Sequence, residues 1–263
     1  MTVDVRVSTT GPVVGPVLGV VAQFGVLGGL AASVGLGTTG WLAGVIFGIA
    51  TWVFLSGALH RTGATSFGPA NAVTLARCTL VGGVTALAAE SFSGPDHRWA
   101  LVVIAFVAWL MDGIDGQVAR RTGTATALGG RFDGEVDSIL ALVLSLYLAQ
   151  SLGVWVIAIG ALRYAYVAAG WFLPFLRGDL PRRQSRSAIA AALGFVLVAA
   201  ASGVLPTPAA AALVGLSLAV VGWSFARDIR FLHRADAAGR AVTSPVGVRT
   251  VNASQPFVGV GQR

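Results

Sequence analysis

The stretch 112–137, DGIDGQVARRTGTATALGGRFDGEVD, holds five of the 11 acidic residues in the chain: Asp112, Asp115, Asp133, Glu135 and Asp137. Long apolar runs flank it on both sides. Charge at a membrane boundary is costly and needs a counter-charge or a function. These carboxylates therefore bear on both the membrane architecture and the chemistry of the chain.

Working outward, the 263 residues are 55% hydrophobic and only 11% charged, with 35 glycines. The mean hydropathy is +0.78. Too little polar surface remains to wet an ordinary soluble domain. Several apolar runs reach the roughly 20 helical residues that cross a hydrocarbon core about 30 Å thick, and the alternation of a membrane barrel is absent. The expected fold is an all-α integral membrane bundle.

Eight spans are expected, at 12–36, 41–59, 69–91, 99–120, 132–152, 154–176, 187–205 and 208–231. The first two belong to an N-terminal extension, 1–68, and the other six form a transmembrane core, 69–231. The tail, 232–263, has no apolar run long enough to span and is expected to be a loosely ordered cytoplasmic segment. Gly44 and Gly48 form a small-xxx-small pattern in the second span, suited to close helix packing.

All 18 basic residues are arginines, and the net charge is +7. In a membrane chain this excess is a topology signal and an attraction to anionic head groups, not a nucleic-acid signal. Of the loops on one side of the threading, only 92–98 carries an arginine, Arg98, beside Asp96. The other side collects Arg61, Arg120, Arg121, Arg131, Arg177, Arg182, Arg183, Arg186, Arg227 and Arg230. Both termini and the acidic stretch are thus expected on the cytoplasmic side of the plasma membrane.

That orientation puts the Asn252 sequon out of reach of glycosylation. The N-terminus, MTVDVRVSTT, lacks the features of a cleaved signal, so the first run is expected to be retained. Cys78 stands alone in an apolar run and reads as a small buried hydrophobe. His60, His97 and His233 have no ligand spacing, and Trp99, Trp155 and Trp171 suit an aromatic belt or the bundle interior.

Within the acidic stretch, Asp112, Asp115, Gly116 and Ala119 stand at i, i+3, i+4 and i+7, one narrow helical face. Gly129, Asp133 and Asp137 do the same on the next helix, across a loop expected at 120–128. An antiparallel pair would turn four carboxylates into one gap. Such a cluster calls for cations, and oxygen ligands without His or Cys suit Mg²⁺, Mn²⁺ or Ca²⁺ over Zn²⁺. Divalent ions on carboxylates are a common device for gripping a diphosphate. Glu135 lies off this face and reads as solvated or arginine-paired.

The residues fill every fixed position of D-x2-D-G-x2-A-R-x8-G-x3-D-x3-D and so resemble the CDP-alcohol phosphotransferases. The resemblance implies transfer of a substituted phosphate from a CDP-linked alcohol to a hydroxyl, with CMP leaving. It implies two Mg²⁺ or Mn²⁺ ions on Asp112, Asp115, Asp133 and Asp137, with Asp137 also the general base. Gly116, Ala119, Arg120 and Gly129 would line the CDP site. The run Pro69-Ala-Asn71-Ala-Val-Thr74-Leu-Ala-Arg77 is similar to the family's P-N-x2-T-x2-R. It adds Asn71 and Thr74 to the CDP contacts, and Arg77 to the phosphate or acceptor side. A homodimer is in keeping with the family.

Arg163 falls near mid-span and reads as facing a polar cavity, with Tyr164 and Tyr166 as companions, or as a structural partner of an aspartate. Arg177, Arg182 and Arg183, with Arg163 and Arg77, are the candidates for the acceptor, although head-group anchoring serves the inner-loop arginines equally well. The expected donor is CDP-diacylglycerol and the acceptor a small polyol or polyol phosphate, with membrane lipids around the chain. The alternatives are a CDP-choline or CDP-ethanolamine enzyme acting on diacylglycerol and, in another class, an ion-coupled transporter. The transporter would need a second charged, broken helix pair, and the later spans offer no second acidic cluster.

Overall fold

A computed structural model of the chain describes residues 14–62, 69–122, 127–177 and 184–243. Its helices are α1 (Val14–Val34), α2 (Thr38–Thr62), α3 (Pro69–Glu90), α4 (Arg98–Thr122), α5 (Ala127–Leu152), α6 (Ile157–Phe172), α7 (Gln184–Ala201) and α8 (Thr207–Thr243). Short 3₁₀ turns at Val154–Val156 and Pro174–Arg177 flank α6. No strand occurs among the described residues.

Among the described residues, six helices are long and apolar enough to cross a membrane, through Val17–Val34, Thr38–Gly57, Ala72–Glu90, Phe132–Leu152, Val154–Phe172 and Thr207–Arg234. The chain is an integral membrane protein. The other two expected spans do not reach that standard. On α7 the apolar stretch is only Ser187–Ala201, and α4 ends in the aspartates and arginines of the acidic stretch.

The helix ends follow from local chemistry. Pro69 opens α3, where its missing N–H is no loss and its φ is already helical. Gly35, at φ 74°, follows α1 in the left-handed conformation that terminates helices.

The helix α3 is the centre of the bundle. It packs on α1, α2, α4 and α5, and 67% of its span is buried against 22% for α1 or α2. Small residues make this possible, because without a hydrophobic drive in lipid, helices associate by close backbone approach. Gly82 of α3 lies against Gln23 of α1, and Gly83 against Val26 of α1 and Ile104 of α4. Gly44 and Gly48 act in the same way on α2, seating Leu27 and Gln23 of α1. The core around α3 includes Leu27, Val81, Val84, Leu101, Ala105, Val136 and Leu144, each no more than 2% exposed.

Three expected boundaries differ. The connection at 120–128 is shorter, because α4 continues to Thr122 and α5 begins at Ala127. Ala127 and Leu128 are good helix formers, and Gly129 and Gly130 are tolerated in a first turn. Beyond 231, α8 runs on to Thr243, so the first part of the expected loose tail is helix. Its Ala, Leu and Arg content favours that state. The rest of the tail, with Asn252, and residues 1–13 lie outside the described residues.

The end of the bundle far from the acidic stretch is closed by polar contacts. The Tyr147 hydroxyl donates to Asp96 at 2.9 Å, Arg98 pairs with Asp96 at 3.4 Å, and Glu90 accepts the Gly40 N–H at 2.8 Å.

Candidate active site

Three helices converge at the other end. Their sequences deliver charge there at helical spacing: Arg77 two turns into α3, Asp112 near the end of α4, and Asp133 and Asp137 one turn apart at the start of α5. Oxygens of Asp112, Asp133 and Asp137 all lie within 4.8 Å of one another. The Arg77 guanidinium sits at their focus. One of its terminal nitrogens donates to Asp112 Oδ1 at 2.5 Å and to Asp137 Oδ1 at 2.8 Å. The other pairs with Asp133 Oδ1 and reaches the Asp133 carbonyl at 3.3 Å. Arg77 is 1% exposed, whereas the three carboxylates remain 30 to 39% exposed. A buried cation faces a trio open on its other side.

The donor set fits a hard divalent cation. Oxygens from the three carboxylates lie within 4.8 Å of one another, close enough for a single hard ion that binds oxygen at about 2.0 to 2.6 Å.

Asp112 and Asp137 of the trio line a cavity of about 490 Å³ between α4, α5, α6, α7 and α8. Asp112, Asp137, Ser138, Arg163, Tyr166 and Asp228 supply polar lining, and residues such as Leu144, Ile159 and Leu193 the apolar remainder. Arg163 donates to Glu135 at 2.7 Å. The sequence left Arg163 between a cavity role and pairing with an aspartate; in the structure it lines the cavity and its partner is Glu135. Tyr166 donates to the Leu176 carbonyl at 3.3 Å, a contact that ties α6 to the following 3₁₀ turn.

Arg77, expected on the phosphate or acceptor side, contacts all three aspartates. It is enclosed in the carboxylate trio, because α3 is the bundle centre and points its buried face at α4 and α5. Thr74, one turn earlier, is buried at 4%. Asn71, Asp115, Gly116, Ala119, Arg120, Gly129 and Arg177 lie on described backbone, at the start of α3, the end of α4, the start of α5 and the end of a 3₁₀ turn. Their side chains, and all of Arg182 and Arg183, lie outside the described residues.

Two cavity residues escaped the sequence reading. Trp109, one turn before Asp112, donates its indole N–H to the Ala191 carbonyl at 2.9 Å and meets Phe106 and Phe195 with tilted rings. Gly194 leaves room for the indole. Trp109 reads as one more apolar residue in sequence. Asp228 lies on α8 one turn after Ser224, and both line the cavity; an acid between Arg227 and Arg230 was the available signal.

Residues 67–227 match the family model described as CDP-alcohol phosphatidyltransferase. The chain belongs to the CDP-alcohol phosphatidyltransferase family. The matched residues take in α3 to α7 and much of α8, and α1 and α2 precede them. Among curated proteins, the chain is 49% identical over 45 residues to ethanolaminephosphotransferase 1 of Homo sapiens, covering 17% of this chain and 11% of that protein. The same protein of Mus musculus is 47% identical over 45 residues, with the same coverage. The chain thus aligns with about a tenth of the length of these relatives. No solved structure matches it. In this CDP-alcohol phosphatidyltransferase family member, Asp112, Asp133 and Asp137 of the acidic stretch and Arg77 of α3 form one constellation.

Proposed function

We propose that this protein transfers a phosphatidyl group from CDP-diacylglycerol to the hydroxyl of a small polyol or polyol phosphate and releases CMP. The observation that carries this reading is the oxygen trio of Asp112, Asp133 and Asp137, of which Asp112 and Asp137 line a cavity that is part polar and part apolar. A lipid-linked diphosphate and a small polar alcohol both need such a cavity. We place the site on the cytoplasmic side of the plasma membrane, on the arginine asymmetry of the sequence.

Asp112, Asp133 and Asp137, with Asp115, would hold Mg²⁺ or Mn²⁺. When bound, the ions neutralise charge that develops on the diphosphate oxygens. The acceptor oxygen forms a bond to the phosphorus that carries the lipid, and the bond from that phosphorus to the CMP oxygen breaks. Asp137 lies on the cavity wall and takes the hydroxyl proton. Arg163, which lines the same cavity beside Glu135, binds the acceptor. Gly116, Ala119, Arg120, Gly129, Asn71 and Thr74 serve the CDP moiety.

The likeness to ethanolaminephosphotransferase 1 favours a second reading, with CDP-ethanolamine as donor and diacylglycerol as acceptor. A 45-residue match is long enough to carry a CDP-binding motif and too short to carry an acceptor site. The test is CMP release by the purified protein with Mg²⁺ or Mn²⁺, using either donor and a panel of alcohols. Asp137→Asn is expected to slow turnover about 100-fold or more, the usual worth of a positioned general base. No CMP with any pair, or an unaltered Asp137→Asn variant, would sink the reading.

A further inference from the structure

We propose that Arg77 is an internal stand-in for the divalent cation, so that the guanidinium and the ion hold the carboxylate trio alternately. The inference rests on the divalent-ion part of the proposed function and concerns how that ion enters.

Arg77 engages one oxygen from each of Asp112, Asp133 and Asp137. A hard cation would draw its ligands, at about 2.0 to 2.6 Å, from the same three carboxylates, whose oxygens cluster within 4.8 Å. Both cations cannot occupy that focus. Arginine cannot yield by losing a proton, since its guanidinium stays charged at any physiological pH. It must move aside. Without either cation the three carboxylates would repel one another in a partly desolvated setting, so the guanidinium holds α3, α4 and α5 together until the ion arrives.

The turn of α3 that carries Arg77 is also contacted from outside the family domain. Its neighbour Cys78 is 2% exposed, and the Cys78 sulfur makes a 3.6 Å contact with Thr51 of α2. Leu75 is 7% exposed and faces Gly19 of α1. The α1–α2 pair thus clamps the turn of α3 that presents the guanidinium.

The test uses the full-length protein, stripped with a chelator and titrated with Mn²⁺, with binding read by calorimetry and folding by thermal melting. Arg77→Met should melt below the wild type in chelator and bind Mn²⁺ about tenfold or more tightly. It should also gain more in Tm at saturating Mn²⁺, since a ligand that binds only the folded state stabilises it by mass action. Recovery of a folded variant only in the presence of Mn²⁺ would be the limiting form of the same result. Equal or weaker Mn²⁺ binding overturns the proposal. Should Arg77→Met not fold, Arg77→Lys carries the same comparison, because a compact ammonium lacks the planar fork that spans three carboxylates. Failure of both variants to fold with Mn²⁺ present also overturns it. Neither readout needs turnover. Exchange without CMP release would overturn the functional reading alone, and CMP release without exchange would overturn this inference alone.

Discussion

Replacing Glu135 by Gln separates the structural from the chemical role of the cavity's ion pair. Glu135 and Arg163 are 33% and 39% exposed and meet at 2.7 Å. Pairs this open to solvent contribute about 0.2 to 1 kcal/mol to stability. In a chain of this size that is a change in Tm of about 4 °C or less. Gln keeps the length of the side chain and one acceptor oxygen but removes the charge. An anion bound by Arg163 about 4 Å from the Glu135 carboxylate loses a repulsion of about 1 kcal/mol at the dielectric of water, and about four times that at an effective dielectric of 20. The exposure of the pair argues for the lower figure, about a fivefold effect. KM for a phosphorylated acceptor should therefore fall about fivefold in Glu135→Gln, and KM for an uncharged polyol should hardly change. Both constants are read from CMP release at saturating donor. A phosphorylated-acceptor KM that stays the same or rises would refute the assignment of Arg163 to the acceptor.

Chelation of divalent ions should abolish CMP release, and Mn²⁺ or Mg²⁺ should restore it where Ca²⁺ and Zn²⁺ restore less, as a titration of activity would show. Gly160→Ala places a methyl group against the backbone of Leu142. Its expected cost is about 1 to 3 kcal/mol, from forcing α5 and α6 apart. Gly222→Ala, with nothing within 4 Å of the added carbon, should leave Tm unchanged or slightly raised, and melting curves of the two variants test the contrast. Trp109→Phe keeps an aromatic wall but loses the indole donation to Ala191. It should lower Tm by about 2 to 4 °C, the equivalent of about 1 kcal/mol.

The helical, membrane-spanning character was legible because it is a property of composition and run length. The acidic stretch was legible because Asp112, Asp133 and Asp137 are spaced for a helical face. Neither depends on distant contacts. Less legible were the helix ends around 120–128 and beyond 231, where local helix propensity continues past the apolar run that marked the expected span. Trp109 could not be singled out, since an indole that bonds a neighbouring helix has the same sequence signature as one facing lipid.

By itself the sequence determined an apolar helical bundle and a row of carboxylates at one membrane boundary, since periodicity and hydropathy act within a single helix. Tertiary structure alone decided what those carboxylates face. Arg77 is remote from them in sequence and became their common partner only because small residues along α3 let α1, α2, α4 and α5 close around it. The same packing turned Arg163 to Glu135 rather than to an aspartate. Pairing of buried charge is set by which helix faces meet, and a linear pattern does not carry that information.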